Sequence, residues 1–359
     1  MRKKNYIHRI LAFTDHVNTP SSRYRIRAHI QTFSQAGYFI RDHIRRYSTQ
    51  SSASLFADVR IRSSPLKFLT ASYFEARNVL STFSGVLESY SYDAVWISRE
   101  LIIGYPSFEY LLNKPLIYDI DDAIFLSKVS QTGVKMLIKK SAAVIAGNSY
   151  LAAYAKQYSD NVFVVPTAVD TNKFRPHISK LSSDIFAIGW SGTSSSYKYF
   201  IPIQSSISAF CRQFPKVRLK FFSDRYPKEL CELYPYIDFE LWDPNLEASQ
   251  IQSLDLGIMP LDLSNWSRGK CSYKMLLYAS VGIPTICTPV GMNAELISNY
   301  NLGLPAISPS DWYEQLEYCY QRRDHLRGMF SHARQVVCKH FSTEQVSHDL
   351  LNVFRSSGL

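Results

Sequence analysis

LGIMPLDLSNWSRGKCSYKMLLYASVGIPTICTPVG, Leu256–Gly291, is the stretch on which the reading of the chain turns. A short apolar run, Leu254–Leu261, has the length and bounds of a buried strand and leads into a polar loop carrying Arg268 and Lys270. A helix is predicted next. Ser272 stands at its N-cap, Tyr273–Val281 holds no breaker, and Gly282 followed by Pro284 is the usual stop signal. Thr285–Thr288 resumes as a strand. Such a strand, basic loop, helix, strand unit gathers backbone N–H groups, a helix dipole and cationic side chains at one sheet edge, which suits an anion, a diphosphate above all. Lys270 and Lys274 are four residues apart and share a helix face, with Arg268 just upstream; on spacing alone the same cations are equally consistent with a solvated surface.

The segment GKCSYKMLLYASVGIPTICTPVG, 269–291, resembles the donor-site segment of GT-B glycosyltransferases of the large GT4 family, in the subgroup with the pattern RGKCxxKxLxYxAxGxP. GWSGTSSSY, Gly189–Tyr197, resembles that family's donor loop, and VVPTAVDTNKFRP, Val164–Pro176, its interdomain strand and linker. RELIIGYP, LIYDIDDAIF and AGNSYLAAYA, starting at Arg99, Leu116 and Ala146, are similar to the same subgroup in the same order. The resemblance implies an α/β chain of two Rossmann-like domains facing a cleft, the GT-B fold. Its divisions would be an acceptor-binding domain at 1–169, a linker at 170–184, a nucleotide-sugar-binding domain at 185–340 and a terminal helix at 341–359 that recrosses to the first domain. The helical spacing of Val346, Leu350, Leu351 and Phe354 fits that last element.

In the second half, strand Ile185–Gly189 runs into a loop where Gly192 permits close backbone approach and Thr193 opens a Thr/Ser run able to cap a helix or bind phosphate oxygens. The resemblance makes this loop the other jaw of the diphosphate site. It implies Arg268 and Lys270 as catalytic cations and Gly192, Thr193, Gly269 and Lys274 as donor-binding positions. Helix Lys198–Phe214, strands Val217–Phe222 and Ile237–Leu241, and helix Leu246–Leu254 complete a second alternation of strand and helix.

In the first half, Ile7–Phe13 and Tyr38–Ile44 read as strands, with a helix from about Ser22 between them and Gly37 ending it. A helix is also expected over Lys67–Leu87, after a polar loop at Ser48–Ser54; its basic, low-complexity flank makes it the candidate for a mobile or membrane-touching excursion. Ser22, Arg23 and Arg25, in the pattern SSRYR shared with the subgroup, are candidates to hold a phosphate or acidic sugar of the acceptor, although exposed helix arginines are as often only solvated. Ser98, Arg99 and Glu100 follow strand Tyr92–Ile97, and Asp119, Asp121 and Asp122 follow Pro115–Tyr118. Both groups fall at the carboxyl ends of strands, where open α/β sheets place ligands. Asp121 is the first choice to orient an acceptor hydroxyl, with Arg99 and Glu100 beside it; a helix cap or a pairing with Arg99 explains the same aspartates. Strands Ala142–Ala146 and Val162–Val165 close this half.

The D-I-D tripeptide at 119–121 has the form of a metal-holding D-x-D. The resemblance puts it in the acceptor half, in a fold that handles diphosphate with cations and helix ends, so no metal is assigned and no cofactor beyond the nucleotide-sugar co-substrate. GT4 proteins commonly carry two glutamates, for donor ribose and donor sugar, where this chain has Leu277 and Gly269. That departure puts the nucleotide's identity in doubt.

With 359 residues, 46% hydrophobic and 19% charged, the chain has the balance of a globular protein of two or three domains. No apolar run approaches the ~20 residues that cross a bilayer, and the first residues lack a secretory cleavage site, so a cytoplasmic location is expected. The six cysteines form no C-x-x-C pair and the nine histidines no ligand spacing, so a zinc or redox pattern is absent from the sequence. The net charge of +10 is concentrated: thirteen basic against three acidic residues through Lys67, then 27 of each. That points to a polyanionic surface. An anionic membrane face is preferred to nucleic acid, for which no base-reading motif exists; a solvated surface stays open.

Together these readings lead to an expected retaining glycosyltransferase, peripheral at the inner membrane face, moving sugar from a nucleotide-sugar to a glycan or glycolipid acceptor in cell-surface polysaccharide synthesis. A sugar-nucleotide epimerase of the same fold and a catalytically silent partner of another transferase stay open beside it.

Overall fold

The structure, a computed structural model, describes residues 8–44, 65–102, 107–176 and 184–359. The expected loop Ser48–Ser54, half of the expected linker and the cations Arg2, Lys3, Lys4, Arg45, Arg46, Arg60 and Arg62 lie outside the described residues. Two compact units form, one from Met1–Ala168 with Thr343–Leu359 and the other from Val169–Ser342.

Unit 1 holds six strands: β1 His8–Thr14, β2 Tyr38–Ile44, β3 Ala94–Ile97, β4 Leu116–Ile120, β5 Ala143–Ala146 and β6 Val162–Val164. Their order is β2-β1-β3-β4-β5-β6 and every pairing is parallel. Unit 2 repeats the plan with β7 Phe186–Ser191, β8 Val217–Ser223, β9 Ile237–Leu241, β10 Leu256–Met259, β11 Thr285–Cys287 and β12 Leu304–Pro305, in the order β12-β11-β10-β7-β8-β9, again all parallel. Sheets covered on both faces need continuous apolar strands, and AVWI of β3, AVIA of β5 and LGIM of β10 are buried along their whole length. This is the α/β, two-sheet GT-B architecture expected from the sequence.

The last helix, Thr343–Ser356, belongs to unit 1. Val346, Leu350 and Leu351 join a core with Ile10 and Ile145, and the Phe354 ring stands edge-on to Phe33 and Trp96 at 5.2 and 5.1 Å. Buried His29 shares a hydrogen bond with Ser347 Oγ at 2.7 Å; burial and the Arg25 charge push its pKa down to about 3, so the imidazole stays neutral at physiological pH.

Three local expectations need correction. The helix from Ser22 is a π turn over Ser22–Ile26 and a 3₁₀ turn over Arg27–His29 before an α-helix at Ile30–Gln35. The single helix over Lys198–Phe214 is interrupted at Pro202: 3₁₀ turns at Ser194–Tyr199 and Ile201–Ile203 precede the α-helix Gln204–Gln213. The strand expected over Leu254–Leu261 is four residues long and stops before Pro260, which has no N–H for the ladder.

Candidate functional site

In unit 2 the carboxyl ends of β7, β10 and β11 carry the residues singled out by the sequence. Trp190, in β7, is wedged among Tyr197, Phe200 and Phe221 at centroid distances of 5.3–5.6 Å, so its indole cannot swing. Lys274, in the first turn of helix Tyr273–Ser280, lays its ammonium 5.6 Å from that indole centroid. A Cβ added at Gly192 would lie 2.7 Å from Lys274 Cε and 2.7 Å from Trp190 Cζ2. The lysine stem therefore crosses the loop after β7 where only glycine leaves room, bringing Gly192, Trp190 and Lys274 into one contact.

Lys270 is half-buried, with its ammonium 5.1 Å from the Trp266 ring, and Arg268 is exposed at the end of the short helix Asn265–Arg268. Ser264 caps that helix by accepting from Ser267 N–H, and Asp262 accepts from the hydroxyls of both serines. Burial would push the Asp262 carboxyl up; those hydroxyls outweigh it and hold it below the usual range. Gly291, at a φ of +54°, is pressed against the Arg268 backbone, and a Cβ there would stand 2.5 Å from the Arg268 carbonyl oxygen. Buried Gly269 thus sits in a backbone pinned from below.

Ser272 corrects the sequence reading. It occupies the N-cap position in left-handed conformation, φ 50° and ψ 26°, makes no capping bond, and donates its hydroxyl to Asn293 Oδ1 at 2.6 Å. Asn293 Nδ2 donates to Thr288 O at 2.9 Å, and Thr288 Oγ1 accepts from Leu261 N at 3.0 Å. The relay ties the ends of β10 and β11 to the start of the lysine helix. Tyr278, one turn after Lys274, accepts from Ser191 N at 3.2 Å, and its ring fills the space a Cβ on Gly257 would take. At the loop after β7 Asp224 accepts from Ser194 N at 2.6 Å and Ser194 Oγ at 2.8 Å, while Ser223 Oγ donates to Gly192 O at 2.7 Å. Burial alone would raise the Asp224 carboxyl; these bonds win and hold it low, so it stays ionised. Thr193 Oγ1 shares a bond with Ser195 Oγ at 2.9 Å.

Asn293, Asp224 and Tyr278 were not singled out by sequence reasoning. Only Tyr278 carried a signal, its i+4 spacing from Lys274. Leu277, at one of the places where a carboxylate is common in the GT4 family, is 2% exposed and faces the core.

In unit 1, Ser22 and Arg25, two of the acceptor candidates, point inward. Ser22 Oγ accepts from Asp15 N at 2.9 Å and is fully buried. Arg25, 2% exposed, places Nε and Nη2 each 2.9 Å from Asp119 Oδ1 and donates through Nη1 to Val165 O at 2.8 Å. Burial pushes the Asp119 carboxyl up while the Arg25 guanidinium opposes it. The pair ties the first helical turns to β4 and to the residue after β6. Arg23 is half-buried, with its guanidinium 4.8 Å from the Tyr24 ring.

Arg99, Glu100 and Asp121 are brought together. Arg99 Nη2 lies 3.5 Å from Asp122 Oδ2 and feels the charges of Asp121, Asp15 and Glu100. Glu100 is buried against Gly133, where a Cβ would stand 3.0 Å from its Cγ. Asp121 is half-buried; desolvation and then the Asp122 charge push its carboxyl up to about 6, with Arg99 opposing. Among the described residues no group of three or more His, Cys, Asp or Glu is placed to hold a metal ion, and no helix is long and apolar enough to cross a membrane.

No family model matches the chain, and no curated protein matches its sequence. Solved structures do. Anabaena HepE in complex with UDP and glucose superposes with a TM-score of 0.69 at 12% identity, covering 97% of this chain and 99% of that one. Sucrose-phosphate synthase from Thermosynechococcus elongatus gives 0.68 at 13%, over 97% and 98%. A glycosyltransferase from Rickettsia africae gives 0.70 at 14%, over 98% of both chains. At such identities the likeness is one of fold, that of GT-B glycosyltransferases.

Proposed function

We propose that the protein is a retaining, GT4-like hexosyltransferase that moves a sugar from a nucleotide-sugar to a glycan or lipid-linked acceptor in cell-surface polysaccharide synthesis, working in the cytoplasm at the inner membrane face. The observation that carries the reading is the arrangement at the carboxyl edge of the second sheet, where Lys274 crosses Gly192 on a fixed indole and Lys270 and Arg268 follow in the adjoining loop. HepE, of the same fold, has been crystallised with UDP and with UDP-glucose, which supports a nucleotide-sugar as the donor.

In the proposed mechanism these cations stabilise the charge that grows on the diphosphate as the glycosidic bond breaks, a task that needs donors fixed in advance. The bonds from Asp224, Tyr278 and Asn293 supply that fixation. A leaving-phosphate oxygen takes the acceptor proton, and Asp121, with Arg99 and Glu100 beside it, orients the acceptor hydroxyl. No metal enters the scheme, since the lysines and arginine do the electrostatic work.

A panel of nucleotide sugars screened by thermal shift, then by transfer to glycan acceptors, tests the reading. A stabilising nucleotide and acceptor-dependent product are expected; no shift with any nucleotide defeats it. Leu277, buried where relatives hold the donor ribose with a carboxylate, favours a second reading, a catalytically silent partner of another transferase. For that reading the absence of any nucleotide-dependent shift is the signature.

A further inference from the structure

Among the described residues two that are not glycine hold a positive φ, Asn301 at 52° and Ser272 at 50°. Asn301 follows the last turn of helix Met292–Tyr300, where left-handed asparagine is an ordinary helix end. Ser272 precedes the first turn of helix Tyr273–Ser280, where the backbone is ordinarily extended. Asn148, Ser264 and Ser308 show that ordinary form at the starts of three other helices: each is extended, and its side chain accepts from the N–H three residues on. Ser272 instead turns its hydroxyl to Asn293, 2.6 Å away. A left-handed residue with a Cβ persists only where its surroundings hold it there. Here the loop after β11 does so. Ser272 is 2% exposed, Asn293 is fully buried, and Asn293 Nδ2 is anchored on Thr288 O at 2.9 Å. The same loop touches the Arg268 backbone through Gly291, so both ends of the segment 268–272 rest on it.

Ser272 stands two residues after Lys270 and two before Lys274. Its φ and ψ therefore set the angle at which the loop carrying Lys270 enters the helix carrying Lys274, and an extended backbone there would swing one away from the other. We propose that Ser272 is the positioning residue of these two cations: its left-handed turn, locked by Asn293, fixes the two ammonium groups relative to each other for a nucleoside diphosphate. Asn293 acts on that ligand only through Ser272. The inference deepens the donor reading and rests on it for the class of ligand. Two replacements separate the turn from the hydrogen bond that locks it. A glycine enters the left-handed region freely, so at 272 it keeps the turn and gives up the lock. An alanine gives up the lock and keeps the Cβ that disfavours the turn. Were the turn irrelevant to the ligand, the two would bind it alike.

Calorimetric titration of the full chain with UDP, ADP and GDP is the test, the variants being read with whichever binds wild type most tightly. Hydrogen exchange of the amides of 273–276 is followed beside it without nucleotide. Ser272→Ala and Asn293→Ala are each expected to weaken the diphosphate about tenfold, and Ser272→Gly only about threefold. Adding Ser272→Gly to Asn293→Ala is expected to strengthen binding about threefold, a rescue by a residue that has no side chain to bond. Circular dichroism checks each fold; should Asn293→Ala fail to fold, Ser272→Gly and Ser272→Ala carry the comparison by themselves. Equal affinity in those two variants, or no rescue in the double variant, overturns the assignment. A wild-type chain that takes none of the three nucleotides removes the donor reading, and exchange then judges the turn. Amides faster in Ser272→Ala than in Ser272→Gly support it, and equal rates overturn it.

Discussion

At the carboxyl edge of the first sheet the charges answer one another, Arg25 with Asp119 and Arg99 with Asp122, and the arginine of the first pair is buried. At the same edge of the second sheet Lys270 and Lys274 lie over Trp266 and Trp190. One topology therefore carries two placements of charge: in unit 1 arginines beside carboxylates, in unit 2 lysines laid over indoles.

The sharpest attempt to break that contrast is Lys270→Ala. Loss of about two orders of magnitude in sugar transfer is expected, the scale of removing a transition-state donor. The melting temperature should hold, because the side chain is only half-buried, its ammonium lying over the half-buried Trp266 ring and not in a core; wild-type turnover sinks the assignment. Arg25→Met should do the reverse, costing about 3–5 kcal/mol of stability by leaving Asp119 buried without its partner. Urea unfolding measures the loss, and the double variant Arg25→Met with Asp119→Leu should recover most of it. Lost activity at unchanged stability would instead make Arg25 a ligand contact.

Gly192→Ala sharpens the comparison at the donor loop. The new methyl must displace Lys274, so nucleotide affinity should weaken about tenfold, roughly 1.4 kcal/mol, by calorimetric titration. An unaltered affinity would show that Lys274 does not face the nucleotide. The smallest effect is expected from Asp121→Asn. The Asp121 carboxyl titrates at 3.8 when unfolded and about 6 when folded, so ionisation is disfavoured in the native state. Its share of stability is complete below the unfolded value, falls as the pH rises through the folded one and is flat above it, while transfer should rise over the same interval. Melting curves across that pH range should lose this fall in the variant; an unchanged profile assigns the titration to another group.

The central strands could be read in advance because strands buried on two faces must be continuously apolar, as β3, β5 and β10 are; the edge strands β2 and β9, partly exposed and carrying charges, still match their expected bounds at Tyr38–Ile44 and Ile237–Leu241. The two-residue strand β12, containing Pro305, has no such run. The lysines and Gly192 were legible from local spacing. Asn293 and Asp224 were not, because their partners Ser272 and Ser194 lie 21 and 30 residues away, and one polar residue carries no mark of a distant bond. The burial of Arg25 was hidden for the same reason, its partner being 94 residues off. An arginine that will be sealed inside looks in sequence like one that will meet a ligand.

Closure of the first core by Val346, Leu350 and Phe354 has a consequence for biogenesis. The ribosome releases the strands of unit 1 well before the segment that covers them, whereas the second unit is one uninterrupted stretch, Val169–Ser342. The later-made half can finish folding first, and the nascent first half must wait with Trp96 and Phe33 uncovered until Thr343–Ser356 has been made. A stop codon ahead of that helix would therefore leave open a core formed by the first residues to be synthesised.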